Sequence, residues 1–239
     1  MKNRLMLGLA FAAVTTFAAS SAMASTFASV GVSVGNKIVL TNDNSPSNNY
    51  DGYLLTNKGS GSQNLGSFTT FCLEYNENFS YGETLTVGGI SYGAVNGGVA
   101  GQTPNTNNDP ISGQTAFLYT NFMENPSALS GTAGWSATSD SLNATAMQQA
   151  IWTLENEIGS TSNTLALALI TLANNAVSNG WSDIGGRVHA LNLIRANGSS
   201  GQDQLYLAPV PLPAAGLLML SALGLGGLLT KRRSSQAAV

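Results

Sequence analysis

The chain has 239 residues, only 9% of them charged, and a formal net charge of −3. Between residues 25 and 208 four cations (Lys37, Lys58, Arg187 and Arg195) face all twelve acids. That stretch therefore carries about −8, which repels phosphate backbones and argues against a nucleic-acid partner. The apolar fraction of 43% argues for a folded core rather than a disordered polar chain.

In chain order, Lys2 and Arg4 open a charged start, an apolar run follows from Leu5 to about Ala19, and Ala22-Met23-Ala24 gives a small-x-small cleavage pattern. Residues 1–24 therefore read as a signal peptide and residues 25–208 as one exported domain with a core of its own. "FASVGVSVGNKIVL" alternates apolar and small residues as strands do. Its Gly31–Gly35 stretch matches G-x-S-x-G. A nucleophile elbow, however, needs a strand-to-helix turn, and here the strand pattern continues through Ile38, Val39 and Leu40. The hydrolase reading is discarded for that reason. "TNDNSPSNNYDG" is a turn-rich loop without the spacing or terminal glutamate of a calcium loop, so no metal site is expected there.

"GSFTTFCLEYNENF" and "ETLTVGGISYG" read as strands, and Ala94 to Gly113 as a long polar surface loop. Three helices follow. "SGQTAFLYTNFMEN" runs until Pro126 stops it. "NATAMQQAIWTLENEIG" has Asn143 as its N-cap, a stripe of Met147, Ile151, Leu154 and Ile158, and its end at Gly159. "NTLALALITLANNAVSNG" stops at Gly180. "GRVHALNLI" and "DQLYLAPV" close the domain as a hairpin. Strands, helices, strands predict an α+β fold, an antiparallel β-sandwich or barrel with a helical insertion of about three helices.

Beyond this domain, Pro209, Pro211 and Pro213 forbid a helix before Ala214, and no residue from Ala214 to Leu229 is charged. Lys231, Arg232 and Arg233 then form a basic stop that places residues 234–239 in the cytoplasm and the domain outside. The run Val210-Pro211-Leu212-Pro213-Ala214, the apolar stretch and the basic cluster resemble, in that order, the PEP-CTERM sorting signal of VPLPA type. Leu212 stands where the commonest form has Glu. For residues 209–233 the resemblance implies a membrane helix and an exosortase-type processing protease as partner. It also implies a destination at the cell surface or in the exopolysaccharide matrix of a Gram-negative bacterium.

Cys72 is the only cysteine, so no disulfide can form within the chain. It can be a buried inert thiol, a bridge between molecules, a thiolate ligand, or half of an internal thioester with a glutamine. "FCLEYNENFSYGETLTV" followed by "MQQAIW" resembles the thioester (TQXA) domain of bacterial surface adhesins. That resemblance implies Cys72 as the thiol and Gln148 as the acyl donor, with Met147 where the family has threonine. Gln149 is the fallback donor, about 100° away around the helix. Many exosortase-sorted proteins resemble the same domain, with a "QD-x-L" strand before the tail, here Gln202-Asp203-Gln204-Leu205.

Trp152 and Phe71 read as core aromatics, Glu74 and Glu77 as solvated acids, and His189 as a structural polar position. The expected protein is not an enzyme and needs no cofactor. It is an exported surface or matrix protein that captures an amine- or hydroxyl-bearing target covalently. The alternative is a structural component of an exopolysaccharide or biofilm matrix without a thioester.

Overall fold

The structure, a computed structural model, describes residues 30–42, 53–58, 64–95, 108–135 and 141–209. The signal peptide, the sorting motif Val210–Ala214 and the basic stop Lys231, Arg232 and Arg233 lie outside the described residues.

Six strands form one antiparallel sheet: β1 (Lys37–Asn42), β2 (Tyr53–Asn57), β3 (Gly66–Thr70), β4 (Thr84–Ser91), β7 (Val188–Ile194) and β8 (Ser200–Leu207). Their spatial order is β3-β2-β1-β4-β7-β8. A two-stranded ribbon joins β5 (Gly93–Val95) to β6 (Asn108–Pro110). Apart from Gly93, this ribbon lies inside the stretch expected to be a loop, because three-residue strands are too short to carry a periodic signal. The strand β2 was likewise not expected. It pairs with β1 through Leu40↔Leu55 and with β3 through Leu55↔Phe68, burying all three side chains on one face.

All three helices fall between β4 and β7, which are neighbours in the sheet. They are α1 (Gly113–Glu124), α2 (Ser141–Leu154) and α3 (Thr164–Ser178), so the fold is α+β with the expected helical insertion. Helix α1 starts at Ser112, whose side chain accepts from Thr115 N, and stops before Pro126. Helix α3 starts at Asn163, whose Oδ1 accepts from Leu165 N and Ala166 N, and ends ahead of Gly180 at φ 93°. Two boundaries of α2 differ from expectation. It begins at Ser141, which leaves Asn143 buried in its first turn rather than capping it. It ends at Leu154, because Asn156 turns left-handed at φ 61°.

The core lies between the sheet and these helices. Ile38, Leu40, Leu85, Leu191 and Leu205 from the strands meet Met123, Met147, Ile151 and Leu169 from the helices. A bulge bends β4 against β7 where the register shifts between Val87 and Gly89. A Cβ on Gly88 would sit 2.3 Å from Ile194 Cδ1, so the position suits glycine.

The sheet also curls toward itself. The chain leaving the edge strand β3 bridges the other edge strand, β8, with Cys72 opposite Gln204. Thr70 Oγ1 donates to Leu205 O at 2.6 Å, and the buried Tyr119 hydroxyl of α1 donates to Thr69 O at 2.9 Å. The lone cysteine therefore sits on the seam where the two edges of the sheet meet.

Candidate functional site

Cys72 and Gln204 are paired across this seam in a defined way. Leu73 N donates to Asp203 O at 3.1 Å and Leu205 N donates to Phe71 O at 3.0 Å. Those bonds flank the Cys72–Gln204 pair without using its own backbone groups. It is thus a non-hydrogen-bonded pair of an antiparallel ladder, the kind in which facing side chains come closest. The result is direct: Gln204 Nε2 lies 3.2 Å from Cys72 Sγ, with both residues fully buried.

The outward-facing backbone groups of Cys72 are met from the other side. Gln148 Oε1 accepts from Cys72 N at 2.9 Å, and Gln148 Nε2 donates to Cys72 O at 2.8 Å. A side-chain amide carries one acceptor and two donors, so it imitates a neighbouring strand at this residue. Sequence reasoning put Gln148 next to Cys72, and it is there, but its carboxamide is engaged by the backbone. The carboxamide at the sulfur belongs to Gln204. Gln149 points elsewhere, its Oε1 accepting from Thr161 Oγ1 at 2.9 Å. Met147, the residue before Gln148 in α2, is a fully buried core residue.

Both aromatic expectations hold, since Phe71 and Trp152 are buried. Phe71 packs edge-on against Tyr119 and Phe122, and Trp152 edge-on against Tyr75 at 5.0 Å between centroids. Tyr75 is half exposed, so this pair reaches from the buried Trp152 to the surface. His189 is half-buried between Tyr92 and Tyr206, with its pKa lowered chiefly by burial.

The acids are where sequence reasoning failed. Glu74 is not solvated but 1% exposed, and Glu77 is half-buried. Glu74 Oε2 accepts from Asp203 N at 2.9 Å, while Gln202 Nε2 donates to Glu74 O at 2.5 Å. Burial first, and the Asp203 charge second, push the Glu74 carboxyl well above the usual carboxylate range. Asp203 is raised too, mainly by burial, although its oxygens accept from Val95 N, Leu193 N and Asn192 Nδ2.

A second group of acids ties α2 to its surroundings. Glu155 accepts from Ser112 N and Oγ at the start of α1, and Glu157 accepts from Tyr75 N at 2.9 Å. The two residues after Glu74 that could have flagged this burial, Tyr75 and Asn76, are exposed and polar-tipped. No sequence periodicity distinguishes Glu74 from them.

Chemically, a thiol beside a carboxamide in a dry site can exchange ammonia for sulfur. Cys72 Sγ would bond to Gln204 Cδ, the Cδ–Nε2 bond would break, and the thiol proton would leave with the amide nitrogen as ammonia. Among the described residues there is no group of His, Cys, Asp and Glu that could hold a metal ion. In comparisons with protein-family models, curated proteins and solved structures, no significant match was found.

Proposed function

We propose that this is an exported surface protein whose folded domain forms an internal thioester and uses it to capture a nucleophile-bearing partner covalently. One observation carries the reading: the 3.2 Å approach of Gln204 Nε2 to Cys72 Sγ on a buried seam. In this proposal Cys72 is the thiol and Gln204 the acyl donor. Gln148 is the clamp that holds the Cys72 backbone while the bond forms. An amine or hydroxyl on the target would then attack the Gln204 carbonyl, forming an amide or ester and returning the thiol. The protein itself is the acyl donor and is consumed, so it does not turn over as an enzyme does.

Export and retention rest on the two termini. The signal-like start, the Val210–Ala214 motif and the basic cluster Lys231 to Arg233 support secretion and sorting by an exosortase-type protease. No helix among the described residues is long and apolar enough to cross a membrane, and the apolar run Ala214–Leu229 lies outside them. The proposed membrane contact therefore depends on that run alone.

A structural matrix protein without a thioester is the second reading, favoured by the complete burial of Cys72. Intact mass separates the two. The purified protein should be lighter by one ammonia than its composition requires, and Cys72→Ala should not. A wild-type mass equal to the calculated one, with a thiol that reacts only on unfolding, would leave the structural reading standing.

A further inference from the structure

Cys72 and Gln204 meet only if the Cys72 segment stays fastened to β8, and the fastening two residues further on contains an anomaly. Glu74 and Asp203 are both buried acids on facing segments, with Glu74 Oε2 accepting from Asp203 N at 2.9 Å. Two like charges side by side in a buried site are costly, so the pair keeps one proton. The proton belongs on Glu74. Asp203 already accepts from Leu193 N at 3.0 Å, Val95 N at 2.7 Å and Asn192 Nδ2 at 2.7 Å, which suits an anion. Glu74 accepts a single N–H, from Asp203 itself, and its Oε1 is buried with no donor facing it. An ionised Glu74 would hold its charge there unneutralised.

We propose that Glu74 is the positioning residue of the Cys72–Gln204 pair: kept neutral by one proton, it fastens the Cys72 segment to β8 through Asp203 N, and ionising it opens the seam. The surroundings reinforce this. Glu77, on the same segment, and Asp203, on β8, both repel a charge on Glu74. The nearby cation is Arg195, between β7 and β8. It faces Glu83 at 3.3 Å and lowers Glu77, while its guanidinium also donates to Ser200 O and Asn78 O. Glu157 faces the segment at Tyr75 N and adds no positive charge. Deprotonation thus puts a second negative charge on a seam whose nearby cation is already engaged with Glu83 and two carbonyls. The clasp is a feature of the fold, and it rests on the thioester reading only for the reaction it would gate.

The test is amide hydrogen exchange on the full chain carrying Cys72→Ala, in which no thioester can form, compared at about pH 6 and about pH 9.5 after correction for intrinsic rates. The amides of Leu73, Asp203 and Leu205 should lose roughly tenfold protection or more at the higher pH. Those of Ile38 and Leu40, in the β1–β2 pair, should not. Glu74→Gln supplies a non-titrating, neutral amide that can still accept from Asp203 N. In that background the step should vanish and protection should persist. No step in the parent, or the same step in Glu74→Gln, would overturn the proposal. The parent step needs no acid variant to fold. A full mass in the wild type together with a clear step would reject the thioester and keep the clasp.

Discussion

At the scale of single residues, Gln148 and Gln204 divide a task that the sequence assigned to one of them. Gln148 satisfies two buried backbone groups of Cys72 and can be replaced only at their expense. Gln148→Ala should therefore destabilise the protein by about 2–3 kcal/mol in urea unfolding, the cost of leaving buried polar groups unpaired. Gln204→Ala removes the amide at the sulfur, and so should abolish the ammonia deficit. Thiol burial and the deficit are thus separable by mutation. The stretches "FCLE" and "QQAIW", singled out together in the sequence, do meet, since Gln148 of α2 bonds the Cys72 backbone. Which glutamine touches sulfur depends on the register of two chain segments more than one hundred residues apart, and no local pattern encodes that.

At the scale of elements, legibility followed periodicity. The helices α1 and α3 were readable because Ser112 and Asn163 cap them and Pro126 and Gly180 punctuate their ends. Asn163→Ala should cost about 1 kcal/mol in thermal or urea unfolding, since its side chain alone serves two N–H groups of the first turn. The limits of α2 were misread because Asn143 has the composition of a cap but is buried within the helix. The left-handed Asn156 ends the helix before its apolar stripe does. The hairpin of β7 and β8 was read from alternation. The seam between β8 and the segment after β3 was not, because "FCLE" there is a single bridge rather than a strand.

At the scale of the molecule, burial has gathered carboxyl groups. Glu74, Glu77, Glu155, Asp109 and Asp203 are all raised by burial before any other cause, Asp109 to about 6. A carboxyl whose folded pKa exceeds its unfolded one binds its proton more tightly in the folded state. Its stabilisation is complete below the unfolded value and is lost as pH rises through the folded one. His189, lowered by burial, works in the opposite sense, as one group against five. Stability should therefore fall as pH climbs from the carboxylate range past neutrality. Differential scanning calorimetry should show a higher Tm near pH 5 than near pH 9. A higher Tm at the alkaline end would mean that these acids are ionised in the fold.

The central claim is a bond between one sulfur and one particular carbonyl, and methylamine tests it directly. The wild-type protein would be treated with methylamine under native conditions, digested, and sequenced by tandem mass spectrometry. A methylamide on Gln204, absent from Cys72→Ala, is the predicted result. A methylamide on Gln148, or no uptake by a protein of full calculated mass, would contradict the account.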